Sequence, residues 1–259
     1  MRRLAPALVL VLSACAAGPV LPPPSSVCTD AILVLPGFGY DSAGRRSMER
    51  FANNVRTKGY TLYTADYVRE EGLAASRQAI LDFIKDNHID QCKRLHILAF
   101  IAGAWSLNPL LEKSPPQNLR TLIYDRSPLQ ERAPRIASSR LPFFARRLFG
   151  EVIFELARTP YPALSPPSGV RTGLIVESRA SSFIRFYKEE ALAMGPVDFS
   201  FSAFGQKHDD AVYWPFDHSL MYNRFEELEP LVLEFIEKGS FPENSNRTTP
   251  GDPFSEPGN

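Results

Sequence analysis

The chain has 259 residues, 44% hydrophobic and 22% charged, proportions that fit an ordinary globular protein with one sizeable core. Lys and Arg number 29 and Asp and Glu also 29, so the formal net charge is zero. That balance gives no electrostatic footprint for nucleic acid or for an anionic membrane surface, and neither is expected as a partner recognised by charge.

At the N-terminus, Arg2 and Arg3 precede an apolar run from Leu4 to Leu12, followed by Ser13, Ala14 and Cys15. This is the layout of a secretory signal, too short to span a bilayer. Leu12-Ser13-Ala14-Cys15 is similar to the lipobox of bacterial lipoproteins. The resemblance implies that residues 1–14 are removed and that Cys15 carries acyl chains, palmitate among them, which anchor it stably in the bilayer. Ala16 after the cysteine, where an aspartate would retain the chain at the inner membrane, implies an outer-membrane location facing the periplasm. The plainer alternative is a soluble exported protein. Residues 15–30 then form the lipidated cysteine and a Pro-rich tether, "PVLPPPSS" at Pro19–Ser26, expected to be stiff and extended.

Apolar strand-length runs alternate with amphipathic segments from residue 31 to residue 238. The pattern is that of a doubly wound α/β domain, with a mostly parallel sheet of about six strands covered by helices on both faces. The first strand is expected at Ala31–Leu35, and the glycine loop Pro36-Gly37-Phe38-Gly39 follows it. Then come a helix near Ser47–Lys58, a strand at Tyr60–Ala65 and a helix near Leu73–Asn87. A strand at Leu95–Phe100 runs directly into a helix near Ala102–Lys113, and the fourth strand is Arg120–Tyr124.

The stretch from Asp125 to Arg171 is longer than a simple crossover needs. Its middle, "SRLPFFARRLFGEVIFELART", has helical spacing of apolar and basic positions, and Pro160, Pro162, Pro166 and Pro167 end it. It is read as a cap insertion, about residues 126–171, over the C-terminal edge of the sheet, where open α/β sheets bind ligands. A surface helical hairpin and a membrane-facing amphipathic helix are the alternatives. Strands at Thr172–Val176 and Val197–Ser202 follow. In the last helix, near Arg224–Lys238, Phe225, Leu228, Leu231, Val232, Phe235 and Ile236 form one apolar face. Residues 239–259 are polar, Pro-rich and without hydrophobic period, and are expected to be a disordered tail.

With Cys15 acylated, Cys28 and Cys92 remain in an oxidising compartment, each three residues before an apolar strand. If those strands are neighbours in a parallel sheet, both cysteines lie at the same edge, and a disulfide is expected between them. Two independent buried thiols are the alternative.

From Ala31 to Lys238 the residues resemble the α/β-hydrolase superfamily. "ILVLPGFGYDSAGRRSMERFANNVRTKGYTLYTADY" is similar to the family's strand, oxyanion loop, helix and strand, with Gly37, Phe38 and Gly39 at the loop that turns backbone amides toward developing negative charge. A tight glycine turn is the plainer reading of that loop. "LHILAFIAGAW", Leu95–Trp105, stands where the G-x-S-x-G nucleophile elbow belongs, with Ala99 and Gly103 as its small residues. Ile101 occupies the nucleophile position and has no atom that attacks a carbonyl. A β-branched residue is also a costly occupant of positive φ, so the turn is expected to be either relaxed or locally strained. His218, just ahead of the terminal helix, matches the catalytic histidine; His208 in "QKHDD" is a loop alternative, whereas His88 and His96 have bland placements. The acid is either Glu177, after the strand "TGLIVES", or Asp125, which can equally be a structural ion pair with Arg126.

Two function classes follow. In one, a catalytically degenerate hydrolase-like domain of the cell envelope binds a hydrophobic ligand or a protein partner, in a corner lined by Phe38, Phe100, Ile101, Phe143 and Phe144. In the other, an active esterase uses a displaced nucleophile, Ser127 or Ser106, with His218. A third reading is a doubly wound fold of no hydrolase ancestry. Strand order decides, because the resemblance places the Ala31 strand between those at Tyr60 and Leu95. No cofactor is expected, and no metal: HExxH-type and clustered Cys/His spacings are missing, and Asp209-Asp210 beside His208 is a thin constellation.

Overall fold

The computed structural model describes residues 18–22 and 28–255. The signal segment and the lipobox with Cys15 lie outside the described residues, as does part of the tether. Six strands, β1 (Asp30–Leu35), β2 (Tyr60–Thr64), β3 (Arg94–Ala99), β4 (Leu119–Arg126), β5 (Arg171–Glu177) and β6 (Asp210–Trp214), form one sheet. Their order is β2-β1-β3-β4-β5-β6 and every neighbouring pair is parallel. The Ala31 strand lies between its partners from Tyr60 and Leu95, as the hydrolase arrangement requires.

The strands are buried on both faces, which is why they read as nearly continuous apolar runs. Alternate residues serve opposite layers. Ile32 and Val34 pack under α1 (Ser42–Thr57) and the terminal helix, whereas Leu33 and Leu35 face the layer that holds α2 (Leu73–Asp86) and α3 (Ile101–Lys113). Helix α1 begins five residues before the expected Ser47. Asp41 caps it by accepting from the amides of Ala43 and Gly44 at 2.8 and 3.0 Å.

Between β4 and β5 the insertion folds into α4 (Ala133–Arg140), α5 (Pro142–Phe149) and α6 (Val152–Arg158). It is fastened through α6 and the residue that follows it. Glu155 of α6 accepts from the Leu73 amide at 2.6 Å and so caps α2, while Trp105 of α3 donates to the Thr159 carbonyl at 3.1 Å. Beyond β5 lie α7 (Ser182–Phe186) and α8 (Lys188–Ala193), and beyond β6 lie α9 (His218–Asn223) and α10 (Phe225–Lys238). Phe225, Leu228, Leu231, Val232 and Phe235 of α10 are buried on the sheet.

Three expectations need correction. Val197–Ser202 is not a strand. Its alternation is real, since Phe199 is buried and Phe201 stacks on Tyr213 at 4.4 Å, but these rings cover β6 from outside the sheet. The sixth strand is the short polar-started "DAVYW" instead. Residues 239–255 are irregular yet docked: the Phe241 ring is buried 4.6 Å from Phe235, Arg247 pairs with Asp210, and the Tyr213 amide donates to the Asn246 carbonyl. The polar composition concealed one aromatic anchor. Nor is the tether wholly free, because Val20 is buried and its carbonyl accepts from the Thr64 amide at the edge of β2.

Cys28 and Cys92 form a disulfide across 64 residues at the N-terminal edge of β1 and β3. On the chain-entropy account this closure contributes about 4 kcal/mol. Replacing both cysteines by Ala should therefore lower the urea unfolding free energy by roughly that amount, and addition of a thiol reductant should no longer change the midpoint of the double variant.

Candidate functional site

At the C-terminal edge of the sheet, β3 passes into α3 through the single extended residue Phe100 (φ −72°, ψ 166°). Ile101 is the first residue of the helix. Among the described residues His88, far along the chain in another loop, is the only non-glycine with positive φ, so the turn at Ile101 is relaxed. This removes the strained geometry that projects a nucleophile, along with the nucleophile itself. The close packing of the elbow is retained, however. A Cβ on Gly103 would stand 2.6 Å from the Leu35 carbonyl oxygen, so only glycine lets α3 start against β1.

His218, at the start of α9, reaches back into this corner and is 7% exposed. Its Nδ1 lies 2.6 Å from Glu177 Oε1 at the end of β5, and its Nε2 lies 3.1 Å from the Phe38 carbonyl in the loop after β1. A carbonyl only accepts, so Nε2 must carry a proton. Burial disfavours both charged forms, lowering the His218 pKa and raising that of Glu177 well above the carboxylate range. The arrangement that satisfies both observations is a neutral pair: Glu177 donates its proton to Nδ1, and Nε2–H donates to Phe38. Its Nε2 lone pair is then unavailable as a base.

The glycine loop is likewise occupied. The Gly37 amide donates to the Tyr222 hydroxyl oxygen at 2.8 Å, and that oxygen lies 3.4 Å from His218 Nε2. Tyr222 is wholly buried, with its ring 4.5 Å from that of Phe100. Tyr222 was not singled out in the sequence. Its position four residues after His218, on the same face of α9, was the available signal.

Asp125 is also fully buried beside this pair, and neither carboxylate oxygen has a protein donor among the described residues. Burial, and next the nearby Glu177 carboxyl, raise its pKa well above the usual range. It makes no ion pair with Arg126. That guanidinium turns the other way, to Glu131 at 2.5 Å and over the Tyr161 ring at 3.5 Å. Adjacent strand residues point to opposite faces, which separates Asp125 from Arg126.

Asp125, Glu177 and His218 are the described residues' one His/Asp/Glu group with possible ligand atoms within 4.8 Å of one another. The 2.6 Å contact between Nδ1 and Oε1 suits a shared proton. Two ligands of a tetrahedral ion at ~2 Å would stand ~3.3 Å apart. The site therefore fits a proton better than a divalent cation.

The serines offered as displaced nucleophiles do not meet His218. Ser106 is buried within α3, and Ser127 Oγ accepts from the Gln130 amide at 3.1 Å. His208 Nδ1 lies 2.8 Å from the Gln206 carbonyl, and His96 is buried in β3 with its pKa lowered to about 4 by desolvation.

A cavity of about 320 Å³ opens above this corner, between the loop after β1, α3, the cap, α7 and α9. Ile101, Leu141, Phe144, Phe149, Ile153 and Leu156 supply its apolar wall. Phe38 belongs to the lining as expected, but Phe100 is sealed in the core beneath, and Phe143 is 74% exposed on the outer side of α5.

Because Asp125 holds a proton in the fold that it would release in the unfolded chain above about pH 4, its contribution to stability is largest at low pH and falls as pH rises. Asp125→Asn should thus be more stable than the native chain at about pH 8, by roughly 1–3 kcal/mol, with the gain vanishing towards pH 4. Urea titrations at several pH values measure this, and an equal loss of stability at every pH would contradict the assignment.

No protein-family model matches the sequence, and no curated protein matches it. Solved structures do resemble the fold. The mature Bacillus licheniformis lipase BlEst2 superposes with a TM-score of 0.53 at 12% identity, over 82% of this chain and 95% of that one. Est1E from Butyrivibrio proteoclasticus gives 0.52 at 14% identity, over 85% and 92%. An α/β hydrolase enzyme from the metagenome of Mar Chica lagoon sediments, Morocco, gives 0.51 at 12% identity, over 82% and 92%. With the strand order and the helical layers described above, these likenesses establish that the chain has the α/β-hydrolase fold.

Proposed function

We propose that this chain is an envelope lipoprotein whose α/β-hydrolase-like domain has lost hydrolysis and binds a hydrophobic ligand in the cavity beneath its cap. The observation that carries this reading is the engagement of the catalytic corner by the protein's own groups. Ile101 supplies no nucleophile, Nε2 of His218 is spent on Phe38, and the Gly37 amide is spent on Tyr222. An ester entering the cavity would meet no attacking atom at residue 101, and the Gly37 amide would not be free to hold its oxygen. What remains is a largely apolar cleft of the size that small-molecule sites have.

Hydrolysis, the activity in the printed names of the lipase and the α/β hydrolase enzyme, is the competing reading. It requires a serine hydroxyl bonded to His218, and among the described residues neither Ser106 nor Ser127 makes that hydrogen bond, Ser127 Oγ accepting instead from the Gln130 amide. The envelope location and the acylation of Cys15 rest on the Leu12–Cys15 motif, and a disulfide is in keeping with an oxidising compartment.

The purified domain should hydrolyse p-nitrophenyl butyrate no faster than its His218→Ala variant, and Ile101→Ser alone should not restore turnover. The uncharged dye Nile red should bind with a rise in fluorescence that Ala145→Trp, which fills the cavity, suppresses without lowering the melting temperature by more than a few degrees. Esterase activity lost on His218→Ala would end the binding-only reading. For the anchor, radiolabelled palmitate should enter the full chain expressed in a bacterium and fail to enter Cys15→Ala.

A further inference from the structure

We infer that the ligand of this cavity is an uncharged amphiphile: an apolar chain that carries a hydroxyl, ester or amide group and no ionised head. The inference rests on the binding reading above and adds the chemistry of the ligand's polar end. Among the described residues no Lys or Arg lines the cavity. The one histidine there, His218, is neutral and has both ring nitrogens engaged. A carboxylate or phosphate carried inside would lose its water and find no cation, a cost no hydrophobic contact of this size offsets.

A cation would have to share the two lining carboxylates with the groups they already serve. Asp41 faces the N-terminus of α1 and accepts from two of its amides. Glu131 is held in two hydrogen bonds by the buried Arg126.

Two carboxamides at the cavity wall have hydrogen-bonding atoms that the fold leaves open. Asn223, at the end of α9, makes no side-chain hydrogen bond among the described residues, and its Oδ1 is buried without a partner at the cavity wall. Gln130 accepts at Oε1 from Ser181 Oγ at 2.7 Å, which orients its amide and leaves Nε2 without a partner among the described residues. A neutral group that both donates and accepts satisfies such amides. Buried polar atoms without partners are costly, so the ligand's hydroxyl or amide completes what the fold leaves open.

The test is displacement of Nile red from the purified domain at about pH 8 by four ligands of equal chain length, each below its micelle concentration: monolaurin, lauramide, laurate and dodecylamine. Monolaurin and lauramide are expected to displace the dye at concentrations at least about tenfold lower than laurate or dodecylamine. Asn223→Leu should weaken monolaurin about tenfold while changing Nile red affinity less than threefold. Asn223→Asp, which keeps the size and adds a charge, should reverse the order in favour of dodecylamine. Equal or tighter binding of laurate or dodecylamine by the native domain overturns the inference, as does unchanged monolaurin affinity in both Asn223→Leu and Gln130→Leu; in those cases the binding reading still stands. If Nile red does not bind at all, the binding reading itself falls.

Discussion

The imidazole of His218 ties together three separate parts of the sheet's C-terminal edge: the end of β5 through Glu177, the loop after β1 through Phe38, and α9 on which it stands. In a buried site each of these hydrogen bonds must be made, since an orphaned ring nitrogen would cost more than the bond contributes. The neutral Glu177–His218 pair therefore sets the position of the glycine loop. That loop in turn delivers the Gly37 amide to Tyr222. A Cβ at Gly37 would lie 3.0 Å from the Tyr222 oxygen, so the glycine and the tyrosine fit each other closely. His218 and Glu177 thus act as a structural clasp at this edge of the sheet.

The clasp also explains why the cavity is dry-walled and closed at its base. Ile101 puts a branched apolar side chain at the start of α3, Tyr222 and Phe100 fill the space beneath, and the cap is locked from above by Glu155 and Trp105. The lining that results is mostly apolar, with two carboxylates, two carboxamides, three serines and His218 among its polar groups. Such a surface discriminates by shape and hydrogen bonding, whereas a hydrolytic site must also stabilise a developing charge. Buried Asp125 is the strained element of this arrangement, held beside Glu177 by the ends of neighbouring strands, β4 and β5.

Much of the fold was legible because burial writes itself into composition. Five of the six strands are apolar runs bounded by breaks, and the terminal helix shows its core stripe residue by residue. The sixth strand was not legible: "DAVYW" is short and begins on aspartate, while "VDFSFS" alternates more convincingly yet only packs over the edge strand. In the same way one phenylalanine, Phe241, docks a segment whose average composition reads as disordered. It packs against Phe235 over Gly173, where a side chain of any size would collide with both rings.

The sequence by itself determined the layer architecture, the place of the glycine loop, the chain order of Ile101, Glu177 and His218 and the apolar side chain at position 101, because each follows from local pattern or from the identity of a single residue. The tertiary structure alone decided which acid meets His218, that Asp125 and Arg126 part company, and that Tyr222 takes the Gly37 amide. It also decided that neither serine hydrogen-bonds to His218 and that two carboxamides line the cavity. These are contacts between residues up to 185 positions apart. They depend on where each side chain points once the strands are packed, and local sequence carries no record of that direction.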